Sequence, residues 1–497
     1  MIAILLIPIV TAGLCYILRS QRLIGYVSLA GAVILAVFAI PIIVSSVSSP
    51  ISMINDVLYM DALSGYMMAL VIFLGLASAI YSIGYLEHEL GIGITDIKGM
   101  RRYYALFHLF IFTMLLVTVS NNLALMWIAI EATTIVSAIL IGLGFTKRQL
   151  AIEAAWKYTI LCTVGITFAL LGIFITYYAS TAVMVNEGVL NWTVLKGIAN
   201  KLNPSTMKLA FIFVLLGYGT KAGLAPVHNW LPDAHSQAPS PISALLSGIL
   251  LNTAFYGIMR FVSIVEPSTG GNFTGNLLVI FGIVSIGISA IFILVQDNFK
   301  RLLAYSSIEH MGIISLGIGI GWPVGLYGAI LHILNHALAK PLMFFASGKI
   351  QARYGSTRIE NVNGVLSSMP LLGILTFIGT LSLSGTPPFN IFLSEFTILK
   401  AGVDKGMWLI VGLFLLFVVI VFYGMLSGFG RTLFGQGQQS AISNRQSAFT
   451  DRKFSIADAL SNAVMIIMAV FIIVLGFRIP DFIDSTIKLC ISAIGVK

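Results

Sequence analysis

The chain has 497 residues, 58% of them hydrophobic and 9% charged, where a soluble domain carries about 25% charged residues. No water-soluble fold has an interior that could hold so much apolar surface, which excludes a soluble enzyme or binding module. The formal net charge of +9 sits in short loops without interleaved aromatics, so it reads as a membrane topology signal and not as a nucleic-acid surface. Cys15, Cys162 and Cys490 stand alone in the sequence, which argues against a disulfide framework and against the clustered thiolates of an iron–sulfur or structural zinc site. Redox chemistry coupled to this chain is therefore expected in partner subunits.

Runs of about 20 apolar residues, the length that crosses a ~30 Å hydrocarbon core, recur along the whole chain. In chain order the predicted helices cover 2–18, 23–47, 62–85, 103–120, 122–145, 152–180 and 207–226, then 239–265, 276–295, 301–320, 322–349, 367–400, 406–430 and 456–478, followed by a short C-terminal segment. The expected fold is all-α, a polytopic membrane protein of about 14 transmembrane helices. The first run ends in Arg19 with no basic residue before it, so it reads as a helix and not as a cleaved signal peptide.

Basic residues divide unequally between the two sets of loops. One set holds Arg19, Arg22, Lys98, Arg101, Arg102, Lys147, Arg148, Lys300, Arg301, Lys349, Arg353, Arg358, Arg431, Arg445, Arg452 and Lys453; the other holds the fewer Lys196, Lys201, Lys208, Arg260, Lys400, Lys405, Arg478, Lys488 and Lys497. The positive-inside rule places the richer set in the cytoplasm and both termini outside.

Two predicted helices carry proline where an uninterrupted helix should not. Lys221-Ala-Gly-Leu-Ala-Pro226 falls in the seventh and Ser384-Gly-Thr-Pro-Pro388 in the twelfth, and proline removes a backbone donor and clashes with the preceding turn. Paired broken helices at corresponding positions predict two inverted-topology five-helix repeats with an ion site near mid-membrane depth. The expected division is 1–102 for three N-terminal helices, 103–265 and 276–430 for the two repeats, and 431–497 for the fourteenth helix and C-terminal segment.

A charge at the bilayer centre costs roughly 2.5–3.5 kcal/mol on insertion scales, so each one inside an apolar run needs a reason. Glu131 lies about 13 Å into its helix at ~1.5 Å per residue, and Lys157 is expected at similar depth in the next. Lys221, Lys340 and Glu395 also fall well inside apolar runs. His332, His336 and Lys340 repeat at spacings of four, which puts them on one helix face, and His310 in the preceding helix follows Glu309. Such a stripe suits a hydrated proton wire better than static packing. His228, Asp233 and His235 match no metal signature and read as a polar loop meeting cytoplasmic water. Gly317, Gly319 and Gly321 have no strand before them, so they read as close-packing residues and not as a nucleotide loop.

The segment from Lys221 to Phe261, KAGLAPVHNWLPDAHSQAPSPISALLSGILLNTAFYGIMRF, resembles the proton-pumping membrane subunits of respiratory complex I and their antiporter relatives. WIAIEATTI around Glu131, LLAYSSIEHMG around His310, ILNHALAKPLMFF around Lys340 and LSGTPPFNIFLSEFTILKA around Glu395 resemble that family in the same order. SGILLN with TPPFNIFLSE is most similar to the hydrogenase-4 component F branch, found in prokaryotic membrane-bound nickel–iron hydrogenase and formate hydrogenlyase complexes.

The resemblance implies that Glu131, Lys221 and Glu395 belong to a transport line for protons or sodium ions. It also implies that nickel–iron or iron–sulfur centres reside in partner subunits and that the chain binds no cofactor itself. Other readings it leaves open are a Mrp-type or autonomous sodium/proton antiporter subunit and a NADH-quinone oxidoreductase pump subunit. Many complex I subunits of this type carry a lysine or histidine in the eighth helix, where this sequence has Ser247 and Asn252.

Overall fold

A backbone amide or carbonyl in hydrocarbon has no water partner, so a chain this apolar satisfies its backbone within helices. The computed structural model describes residues 1–144, 148–184, 188–321, 323–435 and 456–495. Every predicted run falls on a helix. They are α1 (Ile2–Ile17), α2 (Gln21–Ser48), α3 (Ala62–Gly91), α4 (Ile97–Val119), α5 (Leu123–Gly142) and α6 (Arg148–Thr181). A broken pair α7a (Pro204–Ala222) and α7b (Leu231–Gln237) follows, then α8 (Ser240–Thr269), α9 (Phe273–Leu294), α10 (Phe299–Ile320) and α11 (Val324–Tyr354). A second broken pair, α12a (Pro370–Leu383) and α12b (Asn390–Asp404), precedes α13 (Trp408–Phe434), α14 (Ile456–Phe477) and α15 (Asp481–Ile494). Among the described residues, 11 helices are long and apolar enough to cross a membrane, with α1 and α12a shorter but apolar. The only regular sheet among these residues is a hairpin, Ile51–Met53 against Leu58–Met60.

Burial sorts the helices into two populations. α8, α10 and α11 are almost wholly enclosed, and α11 touches α3, α8, α10, both halves of the twelfth helix, α14 and α15. By contrast α2, α6 and α13 present Val37, Ile40, Trp156, Phe174, Leu409 and Val419 to the outside, the apolar surface that lipid or a neighbouring membrane protein covers.

Glycine lets helix pairs approach backbone to backbone. A Cβ on Gly217 of α7a would come within 2.8 Å of the Gly165 carbonyl oxygen on α6, and Gly282 of α9 and Gly312 of α10 stand in the same relation to each other's carbonyls. Gly319 packs likewise on Gly275 and Gly317 on Gly325, so these two serve close packing as expected, whereas Gly321 ends α10 in a positive-φ conformation with no close contact.

Both breaks are built the same way. α7a ends at Gly223, with φ +77°, where the Gly223 N–H donates to the Thr220 carbonyl and the Leu224 N–H to that of Gly219. α12a ends toward Gly385, with φ +65°, where the Gly385 and Thr386 N–H groups donate to the carbonyls of Ser382 and Leu381. Each is a Schellman closure, which needs a left-handed residue and so favours glycine. The helices thus stop at glycine before reaching the prolines that the sequence pattern marks as the breakers.

Two residues read as loop charges are instead buried within helices. Arg260 of α8 is 2% exposed and makes a bidentate pair with Asp61, the N-cap of α3, at 2.7 Å for each bond. Its guanidinium stacks on Trp192 and Tyr256, which explains how a hydrophobic helix tolerates it. Lys300 of α10 is 3% exposed and lies within Coulombic reach of Glu89 of α3. Of the other basic residues used to orient the chain, Lys147, Arg445, Arg452, Lys453 and Lys497 lie outside the described residues.

Removing one partner of a buried ion pair leaves the other uncompensated, at a cost of about 3–5 kcal/mol. Arg260→Ala should therefore destabilise the chain by an amount of that order, read from its unfolding midpoint during detergent titration in mixed micelles. A change under about 1 kcal/mol, within the range of an exposed pair, would remove Asp61–Arg260 as an anchor.

Candidate ion-translocation site

Lys221 occupies the last turn of α7a, one residue before the Ala222–Gly223 closure, and is 1% exposed. Its ammonium donates to Thr134 Oγ1 of α5 at 2.9 Å and to the Tyr158 hydroxyl of α6 at 2.6 Å, and lies 4.9 Å from the centre of the Tyr158 ring. Hydrogen bonds to a charged group contribute about 1.5–3 kcal/mol each, so two of them match the insertion cost of the charge. The Tyr158 hydroxyl in turn meets Ser137 at 2.7 Å, while Trp230 of the break donates to the Thr220 carbonyl at 2.8 Å and packs against the Tyr158 ring.

Glu131 lies one turn from Thr134 on α5, yet no salt bridge within 4.0 Å joins it to Lys221 among the described residues. Its Oε1 accepts from Thr163 of α6 at 2.8 Å and its Oε2 is buried without a partner. Glu131 thus stands within Coulombic reach of Lys221, while neutral hydroxyls make the direct contacts with the ammonium. Lys157 departs further from expectation. Its side chain is 50% exposed, paired with Glu153 at 2.7 Å and reaching Asp233 at 3.5 Å. The next residue, Tyr158, turns inward in its place, because one step along a helix rotates a side chain by about 100°. Asp233 also holds Arg301 at 2.6 Å, so α6, α7b and α10 are tied together by a surface ion cluster.

The second group centres on α11. His310 Nδ1 of α10 and His332 Nε2 are 3.1 Å apart, and His332 Nδ1 meets Ser394 Oγ of α12b at 2.9 Å. The His336 ring centre lies 5.4 Å from that of His310, and Lys340 donates to the Leu303 carbonyl of α10 at 2.9 Å. All four residues are fully buried. Asn335 continues the line to Ser394 at 3.0 Å and to the Asn390 carbonyl at 2.7 Å, and Ser382 closes onto Asn390 Oδ1 at 2.8 Å, across the break of the twelfth helix. Glu395 is 6% exposed, with its carboxylate against Gly385.

Glu309 is a member that helix position alone leaves obscure. It is 1% exposed, with Oε2 unpartnered, and within Coulombic reach of both Lys340 and Glu395. Its sequence signals are a carboxylate inside the predicted 301–320 run and adjacency to His310. Between the two groups, the stretch of α8 before Arg260 carries no charged side chain: Ser247, in a π turn over Leu246–Leu250, meets Ser307 of α10 at 2.8 Å, and Asn252 donates to the Gly248 carbonyl at 2.9 Å. His235 of α7b, expected in a polar loop, is fully buried and stacked on Phe344 with ring centres 5.1 Å apart.

Buried ionisable side chains strung along enclosed helices, beside two helix breaks of one design, define an antiporter-like polytopic membrane protein. The chain belongs to the NADH:quinone oxidoreductase/Mrp antiporter transmembrane family, whose pattern matches residues 120–421; the pattern of the complex I chain 5 N-terminus matches residues 50–103. It is 40% identical over 348 residues to a hydrogenase-4 component F homolog of Methylacidiphilum infernorum, covering 70% of this chain and 72% of that protein. Its fold is similar to a chain of an archaeal membrane-bound sulfane sulfur reductase, with a TM-score of 0.83 at 23% identity, covering 99% of this chain and 97% of the other. A chain of the Mrp complex from Dietzia sp. DQ12-45-1b has the same TM-score at 19% identity, with 100% and 97% covered.

The contact between Gly385 and Glu395 is directly testable. A Cβ there would overlap the carboxylate, while the left-handed backbone itself costs a non-glycine residue roughly 1–2 kcal/mol. Gly385→Ala should leave assembly intact and slow ion transport about tenfold, equivalent to ~1.4 kcal/mol, in sealed vesicles. Gly412→Ala, which meets nothing within 4 Å, is the matched control, and equal rates for the two variants would remove the contact from the path.

Proposed function

We propose that this chain translocates protons, or sodium ions, as an antiporter-like subunit of a membrane-bound nickel–iron hydrogenase or formate hydrogenlyase complex in a prokaryotic cell membrane. Redox chemistry at nickel–iron or iron–sulfur centres of partner subunits drives it. The observation that carries this reading is the continuous series of buried groups from His310 through His332, Ser394 and Asn335 to the second break. The similarity to the hydrogenase-4 component F homolog supports the choice of complex.

Lys221 is the switching group. Neutral hydroxyls hold it, so its proton is not locked by an ion pair. Glu131 and Thr134 are neighbours on one helix, and a movement of α5 exchanges one for the other beside the ammonium. A carboxylate 4 Å away would bind the charge by roughly 4 kcal/mol at an effective dielectric of 20; withdrawing it frees the proton for the path toward Lys340, with Glu395 at the exit. Arg19, Arg101, Arg301 and Arg353 lie on the cytoplasmic side in this arrangement, with both termini outside.

Lys221→Ala should assemble, because the bond partners it leaves are neutral hydroxyls, and should lose coupled ion pumping. Lys221→Arg should also fail, since a guanidinium does not release its proton. Redox-driven acidification in sealed vesicles holding the assembled complex measures both, alongside electron transfer by the partner subunits. Normal pumping by both variants would refute the switch. Ion exchange by the purified chain without a redox partner would favour a Mrp-type antiporter.

A further inference from the structure

The path described above has no marked route from the cytoplasmic side to its central lysine, because α8 offers Ser247 and Asn252 there and its one buried charge, Arg260, is locked to Asp61. A second set of buried polar groups lies on that side. Glu89, in the last turn of α3, is 6% exposed, with Oε2 unpartnered. It is within Coulombic reach of Lys300 at the start of α10 and hydrogen-bonded to Tyr85.

His235 follows. It lies within Coulombic reach of both Lys300 and Lys340, and neither of its ring nitrogens has a protein partner although the ring is fully buried. His336, equally buried with two unpartnered nitrogens, stands next in line. A buried imidazole with both nitrogens free of protein partners is a group that ordered water can bridge on both sides.

Beside Tyr85 a cavity of about 150 Å³ opens between α3, α11 and α14, bordered by Tyr81, His88, Lys349, Asp458 and Ser461. A water needs roughly 10–15 Å³ of such space, so the cavity has room for several. It lies at the end of α11 that carries Lys349 and Arg353, the cytoplasmic end in the proposed orientation.

We infer that the crevice between α3, α11 and α14 is a proton inlet, in which Glu89, hydrogen-bonded to Tyr85 of the cavity wall, takes a proton relayed from cavity water and passes it through Lys300 and His235 to the Lys340 and His336 line. Each group accepts a proton on one side and releases one on the other, so no net charge accumulates. His235, reached through the broken seventh helix, takes the place of an ionisable residue in α8. The inference rests on the ion path proposed above and adds the entrance to it.

The test uses membrane vesicles containing the chain in its native complex, with proton flux driven by a potassium diffusion potential and read by a pH-sensitive dye. Glu89→Gln should lower the flux at least tenfold at unchanged assembly, and Glu89→Asp, which keeps the carboxylate, should restore most of it. Ala352→Cys, at the cavity wall, gives an independent reading. A membrane-impermeant, positively charged thiol reagent applied from the α11 Arg353 side should block flux in that variant and leave the parent chain, whose three cysteines are buried, unaffected. Flux lost in Lys221→Ala but kept in Glu89→Gln, or modified Ala352→Cys conducting normally, overturns the inlet alone. Flux kept in both Lys221→Ala and Glu89→Gln overturns the ion path and the inlet with it.

Discussion

Inside hydrocarbon, a backbone amide that leaves its helix has no water to turn to, and the chain is organised around the two places where this happens. At each break a left-handed glycine folds the last amides back onto the helix, and enclosed side chains complete the closure. Ala225 donates to Ser285 of α9 at the first, and Asn335 reaches the Asn390 carbonyl at the second. Such closures survive only in the protein interior, so the breaks sit among α8, α10 and α11. The ionisable groups follow from that placement: Lys221 rides on the turn that Gly223 terminates, and Glu395 fills the space that the missing side chain of Gly385 leaves.

Charges in this chain are held in two contrasting ways. Asp61 and Arg260 form a bidentate pair, braced by Ser64, Tyr256 and Trp192, which fixes both ions and ties α3 to α8. Lys221 and Lys340 instead rest on hydroxyls and a carbonyl. Those partners offset the cost of burial without closing an ion pair, although Glu131 and Glu309 stand within Coulombic reach of Lys221 and Lys340; in the proposed function that leaves the lysines free to exchange a proton. What separates the fixed pair from the two lysines is the partner and not the depth of burial.

Much of this was legible in the sequence. Apolar run length located the helices because hydrocarbon thickness sets a minimum span, and the four-residue spacing of His332, His336 and Lys340 placed them on one face. Other features needed three dimensions. Lys157 and Tyr158 are adjacent, and hydropathy does not say which of the two faces inward. Arg260 and Lys300 resembled loop charges because Asp61, which pairs with the first, and Glu89, within Coulombic reach of the second, lie far away in sequence. The prolines drew attention to both breaks, while the glycines that end the helices differ from the many others in the chain only by their backbone angle.

The glycine contacts between α6 and α7a, and between α9 and α10, have a mechanical consequence. Helices whose backbones touch cannot slide along one another without driving a carbonyl into a neighbouring chain, so each pair behaves as a plank with little internal shear. The hydroxyl of Tyr158 and the ammonium of Lys221 are mounted on the same plank, whereas Thr134 and Glu131 are mounted on α5, outside it. Relative displacement of the two sets would fall on the seam between α5 and this plank, where side-chain bonds such as Tyr158–Ser137 and Thr163–Glu131, and among the described residues no backbone contact of that kind, hold the parts together.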